Sequence, residues 1–168
     1  MTHDTFRPAG LPGQALNDES PDSIPGTALW LGVAGLIPFV AGAGLIVLAG
    51  PVNPETAAHA LIAYGAVILS FLGGIHWGVA LTRGRTGGAR GQTPWYLFSV
   101  VPSLVAWCAL LFAPVTGLIV LAVSFLAMAI VDTVATRTEQ VPGWYLKLRY
   151  RLSIVVIVSL LVAAWAQS

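Results

Sequence analysis

The chain has 168 residues, of which 57% are hydrophobic and only 9% are charged, against about 25% charged in an ordinary soluble domain. A deficit of that size, spread over most of the length, excludes a soluble globule and marks a membrane protein. A net charge of +1 offers nucleic acid no basic surface, and the single cysteine, Cys108, excludes an intramolecular disulfide and a cysteine-rich metal cluster.

Residues 1–27, MTHDTFRPAGLPGQALNDESPDSIPGT, are rich in Pro, Gly and acids and hold one basic residue, Arg7. They lack the basic start and apolar middle of a secretory signal, and their acids do not suit a mitochondrial transit peptide. They read as a flexible polar tail. The remainder, 28–168, reads as a five-span transmembrane domain. Apolar runs at about 28–49 and 57–81 are long enough to cross a bilayer. The next run, Trp95 to Val131, carries no charge and is too long for one crossing. It divides at Ala113-Pro114-Val115-Thr116-Gly117, because proline disfavours helix at the residue before it and glycine loosens the turn. Spans three and four are therefore expected at 95–113 and 115–134, as a tight hairpin. The fifth is expected at 144–167. Pro38 and Pro102 fall inside spans one and three and predict kinks. Asn53-Pro54-Glu55 supplies an N-cap, a first-turn proline and an acid at the positive end of the dipole.

Five spans place all eight Lys and Arg on one side: Arg7, then Arg83, Arg85 and Arg90, then Arg137, Lys147, Arg149 and Arg151. The positive-inside rule puts that side, with the N-terminus, in the cytoplasm and the C-terminus outside. The predicted fold is an all-α polytopic bundle. Trp77, Trp95, Trp144, Tyr145, Lys147, Arg149 and Arg151 are expected as anchors at the cytoplasmic interface, the basic side chains extending their stems toward the headgroups.

Span two carries two distinct faces. Ala66, Ser70, Gly74 and Gly78 are spaced by four and form a small-residue ridge, the pattern that lets membrane helices approach closely. His76 lies about 200° from both Gly74 and Gly78 at 100° per residue, and roughly 10 Å inside the boundary set by Arg83. Asp132 precedes Arg137 by five residues in a parallel span, at a comparable depth. Ionisable groups in a span are expensive and need partners, so His76 and Asp132 form a candidate intramembrane polar pair. The alternative for Asp132 is a pair with Arg137 or Arg149. No hydrolase, P-loop, zinc or dinucleotide motif occurs, and His59 and His76 are about 25 Å apart along one helix. No catalytic, cofactor-binding or metal-binding residue is therefore assigned.

The stretches IPFVAGA (37–43), AYGAVILSFLGGIHWGVA (63–80) and PGWYLKLRYRLS (142–153), with Asp132 before the last, together resemble the domain-of-unknown-function 3429 family over about residues 28–166. The resemblance implies a small polytopic protein of a bacterial or mitochondrial inner membrane and brings no established activity. The acidic tail points to the bacterial branch and hence to the inner (cytoplasmic) membrane. The family's distinctive positions would fall on Pro38, Tyr64, Ser70, Gly73, Gly74, His76, Trp77, Asp132, Trp144, Tyr145 and Arg149. The expected function is a non-enzymatic accessory, assembly or scaffold component. It would work through helix association, as a homo-oligomer or within a larger membrane complex. The alternative is a small carrier or proton-coupled transporter using His76 and Asp132.

Overall fold

The computed structural model describes residues 24–48, 52–83, 93–137 and 143–168, except for the side chains of 82, 83, 93–95, 97 and 135–137. The expected polar tail, up to residue 23, and the connections at 84–92, which carries Arg85 and Arg90, and at 138–142 lie outside the described residues. Among those described there are five α-helices and no strand: α1 (Gly26–Val47), α2 (Pro54–Arg83), α3 (Thr93–Ala109), α4 (Pro114–Arg137) and α5 (Gly143–Ala166). Four stretches, Gly26–Val47, Pro54–Leu81, Pro114–Val134 and Trp144–Ala166, have the length and hydropathy of membrane crossings. The third helix is shorter, at 17 residues, or about 25 Å at 1.5 Å per residue.

Helix α3 stops at Ala109, before the predicted end at 113, because its last turn tightens. Leu110 N–H donates to Trp107 O at 3.2 Å and Leu111 N–H to Cys108 O at 3.0 Å, the short i→i+3 bonds that close helix ends. Pro114 then opens α4. Gly117 does not loosen the turn, as the sequence had suggested. It sits within the first turn of α4, where a Cβ would come within 2.6 Å of Ala109 O. Its bare Cα is what lets α3 and α4 close into a hairpin. At the same end of the bundle, Asn53 Oδ1 accepts from Glu55 N–H at 2.8 Å, the cap expected for α2. Gln167 Nε2 donates to Pro54 O at 2.7 Å, tying the end of α5 to the start of α2.

The main helix pairs are α2–α3, α4–α5, α1–α5, α1–α2, α2–α4 and α3–α4. Helix α2 thus packs on α1, α3 and α4. The core is centred on Phe39, Leu61, Ile62, Leu69, Leu121, Phe125 and Leu160, all nearly inaccessible. Phe39 packs edge-on against Tyr64 and Phe125, with ring centroids 5.1 and 5.8 Å apart. Large apolar side chains also cover the outside, Trp30, Leu31, Val67, Phe71 and Trp165 among them. In water such a surface would drive aggregation; facing acyl chains it carries no penalty.

Pro38 removes the N–H that would bond Ala34 O, and its ring crowds that carbonyl. The Tyr64 hydroxyl reaches across from α2 and donates to Gly35 O at 3.0 Å. A neighbouring helix thus steadies the backbone at the proline, as membrane interiors require. Tyr64→Phe should keep the ring contacts and lose this bond. The expected cost is about 0.5–1.5 kcal/mol, read as a lower unfolding midpoint in detergent; an unchanged midpoint would mean that the carbonyl needs no help.

A buried charge cluster and an open glycine edge

Three helices converge on Asp132. His76 comes from the last third of α2, Asp132 from the end of α4 and Arg149 from the start of α5. His76 Nε2 lies 3.3 Å from Asp132 Oδ1, and Arg149 Nε donates to Asp132 Oδ2 at 2.8 Å. Each carboxylate oxygen therefore faces its own nitrogen, one from His76 and one from Arg149. The other ring nitrogen, His76 Nδ1, is 3.2 Å from Leu72 O within the same helix. The two contacts orient the ring, with Nδ1 toward the helix carbonyl and Nε2 turned to the carboxylate. All three side chains are buried, Asp132 to 1% exposure. An isolated charge at such a place would be prohibitive; here the nearest charges are of opposite sign.

The two candidate residues, His76 and Asp132, are thus brought together, and both alternatives for Asp132 meet in part, since Arg149 joins them. Arg149 as a headgroup anchor is overturned. It is 7% exposed, because its position on α5 turns it toward α4. Lys147 and Arg151, two residues to either side, are exposed, at about 200° around the helix. Tyr145 is half-buried rather than lying on the surface, and Trp144 beside it is half-buried, the two rings 6.3 Å apart and edge-on. Trp77 is 44% exposed and packs edge-on against Tyr96 at 5.1 Å. The side chain of Trp95 lies outside the described residues.

The ridge on α2 divides. Ala66 is buried and Ser70 half-buried, lining a groove with Ser103 and Ala106 of α3. The Ser70 hydroxyl is spent on Ala66 O at 2.8 Å. Gly74 and Gly78 are exposed, and a Cβ at either would meet nothing within 4 Å. As an intramolecular packing ridge, the set therefore ends at Ser70. The glycine that packs is Gly73, whose Cβ would run into the Ser99 carbonyl and meet the Pro102 ring at 3.4 Å. Spacing by four reports which residues share a face, not which face meets a neighbour within the chain, and here that face is the one carrying Gly73.

Sequence comparison matches residues 24–165 to the family described as "Protein of unknown function (DUF3429)". The chain belongs to this family. Similar curated proteins include "Transmembrane protein 69" of Xenopus tropicalis, 41% identical over 139 residues, covering 81% of this chain and 53% of that protein. Another is "Transmembrane protein 69" of Mus musculus, 33% identical over 139 residues, covering 82% of this chain and 55% of that protein. The chain spans about half the length of these relatives. No solved structure matches it. As a member of the DUF3429 family, the protein is an integral, multi-pass membrane protein, with helices that require contact with a lipid bilayer.

Proposed function

We propose that this protein is a non-enzymatic accessory, assembly or scaffold component of the inner membrane that works by helix association. The observation carrying this reading is the outward edge of α2, where Gly74 and Gly78 leave backbone exposed one turn apart with no described neighbour within 4 Å. In lipid, bare backbone gains most from close contact with another helix, since burial of apolar surface offers no drive there. The orientation with N-terminus inside and C-terminus outside belongs to the same proposal and rests on the positive-inside rule.

A homo-oligomer or a complex with another membrane protein would both engage this edge. Blue-native electrophoresis after mild solubilisation of the membranes should show a particle larger than the monomer. Gly74→Leu with Gly78→Leu should convert it to monomer while leaving the fold intact, because both side chains would extend outward. A monomer under several mild detergents, or an assembly indifferent to both substitutions, would overturn the reading.

The second reading is a small proton-coupled carrier, favoured by the His76–Asp132 contact. It fits less well. The carboxylate is already held by Arg149. Besides His76, Asp132 and Arg149, the buried polar side chains among the described residues are Ser99, Ser153 and Ser159, a thin basis for a proton path.

A further inference from the structure

The bundle contains a cavity of about 350 Å³ bounded by α1, α2 and α5, with Phe125 of α4 at its back. It exists because α2 and α5 are not among the main packed pairs; Gly32 and Gly35 of α1 line it. Leu31 and Phe71 line it and are also 70% and 65% exposed. The cavity therefore opens sideways onto the lipid-facing surface. Its size falls at the lower end of small-molecule sites.

The wall is apolar apart from one end, where Tyr145 and Arg149 of α5 contribute. They are four residues apart, on one helix face. The Tyr145 hydroxyl and Arg149 Nη2 are both buried and lie close enough to act on each other, yet neither completes a hydrogen bond among the described residues. The Arg149 side chain is 8% exposed. Buried donors are nearly always paired, so two on one face at the end of an apolar cavity point to an acceptor that enters it. The charge of Arg149 is already matched by Asp132. A second anion would compete with that carboxylate and be repelled by it; an uncharged acceptor oxygen would not.

We propose that this cavity binds one uncharged amphipathic lipid from the surrounding bilayer. Its tail fills the apolar channel between α1, α2 and α5, and a carbonyl oxygen of its head accepts from Tyr145 and Arg149. Isoprenoid quinones and diacylglycerols both present this chemistry. Neither helix association nor the Gly74–Gly78 edge enters the proposal.

The test is native mass spectrometry of the full-length protein released from detergent micelles, with decylubiquinone, dioctanoylglycerol, laurate and dodecane added separately. One molecule of an uncharged carbonyl lipid should be retained, more strongly than dodecane or laurate; whichever of the two binds more tightly identifies its source. Tyr145→Phe, which keeps the ring, should weaken retention about three- to tenfold, the value of one hydrogen bond. Gly35→Leu should abolish it by filling the cavity, with helicity and melting checked to establish that the variant folds. Laurate or dodecane binding as tightly as the carbonyl lipids would overturn the proposal. So would retention unaffected by both substitutions.

Discussion

Asp132→Ala should be among the most damaging single substitutions in this protein. It would strand Arg149, which is 7% exposed, without the carboxylate that accepts its Nε–H at 2.8 Å, and remove the oxygen 3.3 Å from His76 Nε2. Removing one partner of a buried ion pair costs about 3–5 kcal/mol, because the other charge stays behind. The failure should be in how the helices assemble. Each helix keeps its own backbone hydrogen bonds in lipid, whereas the cluster joins α2, α4 and α5. Asp132→Asn should cost less, since an amide oxygen can still accept one of the two bonds. Arg149→Met should also cost less, since Asp132 retains His76. The double variant Asp132→Leu with Arg149→Met should regain much of the loss, as replacing both charges by apolar groups avoids desolvation altogether.

Titration of the purified bundle with denaturing detergent, followed by tertiary signals rather than helicity, measures these losses. Combining the single and double variants yields the coupling energy. If the double variant is as unstable as Asp132→Ala, the cluster is more than a pairwise clasp. The same series separates the two functional readings. Under the association reading, the double variant should recover the large native particle along with stability. A carrier using His76 and Asp132 would lose proton flux in proteoliposomes with Asp132→Asn, and restored packing in the double variant would not bring the flux back.

The helices were legible because the bilayer imposes its own punctuation. Apolar runs of crossing length had to be helical, and Pro114 had to separate two of them. His76 and Asp132 were legible for a related reason: each is an ionisable group in an apolar run, at matching depth in parallel spans. Arg149 was hidden by its surroundings. In one dimension it belongs to a basic, aromatic stretch that reads as a headgroup anchor. Only the helical phase separates it from Lys147 and Arg151, and that phase was a signal available in the sequence. Gly73 offered no comparable signal. Its role depends on the backbone of α3 at Ser99 and Pro102, and no spacing within α2 encodes which of two adjacent glycines will face that neighbour.

That difference between neighbours makes a sharp comparison. Gly73→Ala should destabilise the bundle by about 1–3 kcal/mol, the usual penalty for forcing a methyl into a packed site, and Gly74→Ala should not. The added Cβ at Gly73 would collide with the Ser99 carbonyl and press on the Pro102 ring. Backbone and a proline ring cannot move aside as a flexible side chain can, so α2 and α3 must separate. At Gly74 the same methyl meets open space and adds helix propensity, up to about 1 kcal/mol in aqueous helices. Gly117→Ala should behave like Gly73→Ala, since its Cβ would meet the Ala109 carbonyl at 2.6 Å. Comparing the three alanine variants by thermal melting in one detergent checks the geometry. Equal melting of the Gly73 and Gly74 variants would mean that α2 does not present Gly73 to α3. In the native gel the ordering should reverse in kind: Gly74→Ala should weaken the large particle without lowering the melting point of the monomer. Stability and association would then be carried by adjacent glycines on different faces of one helix.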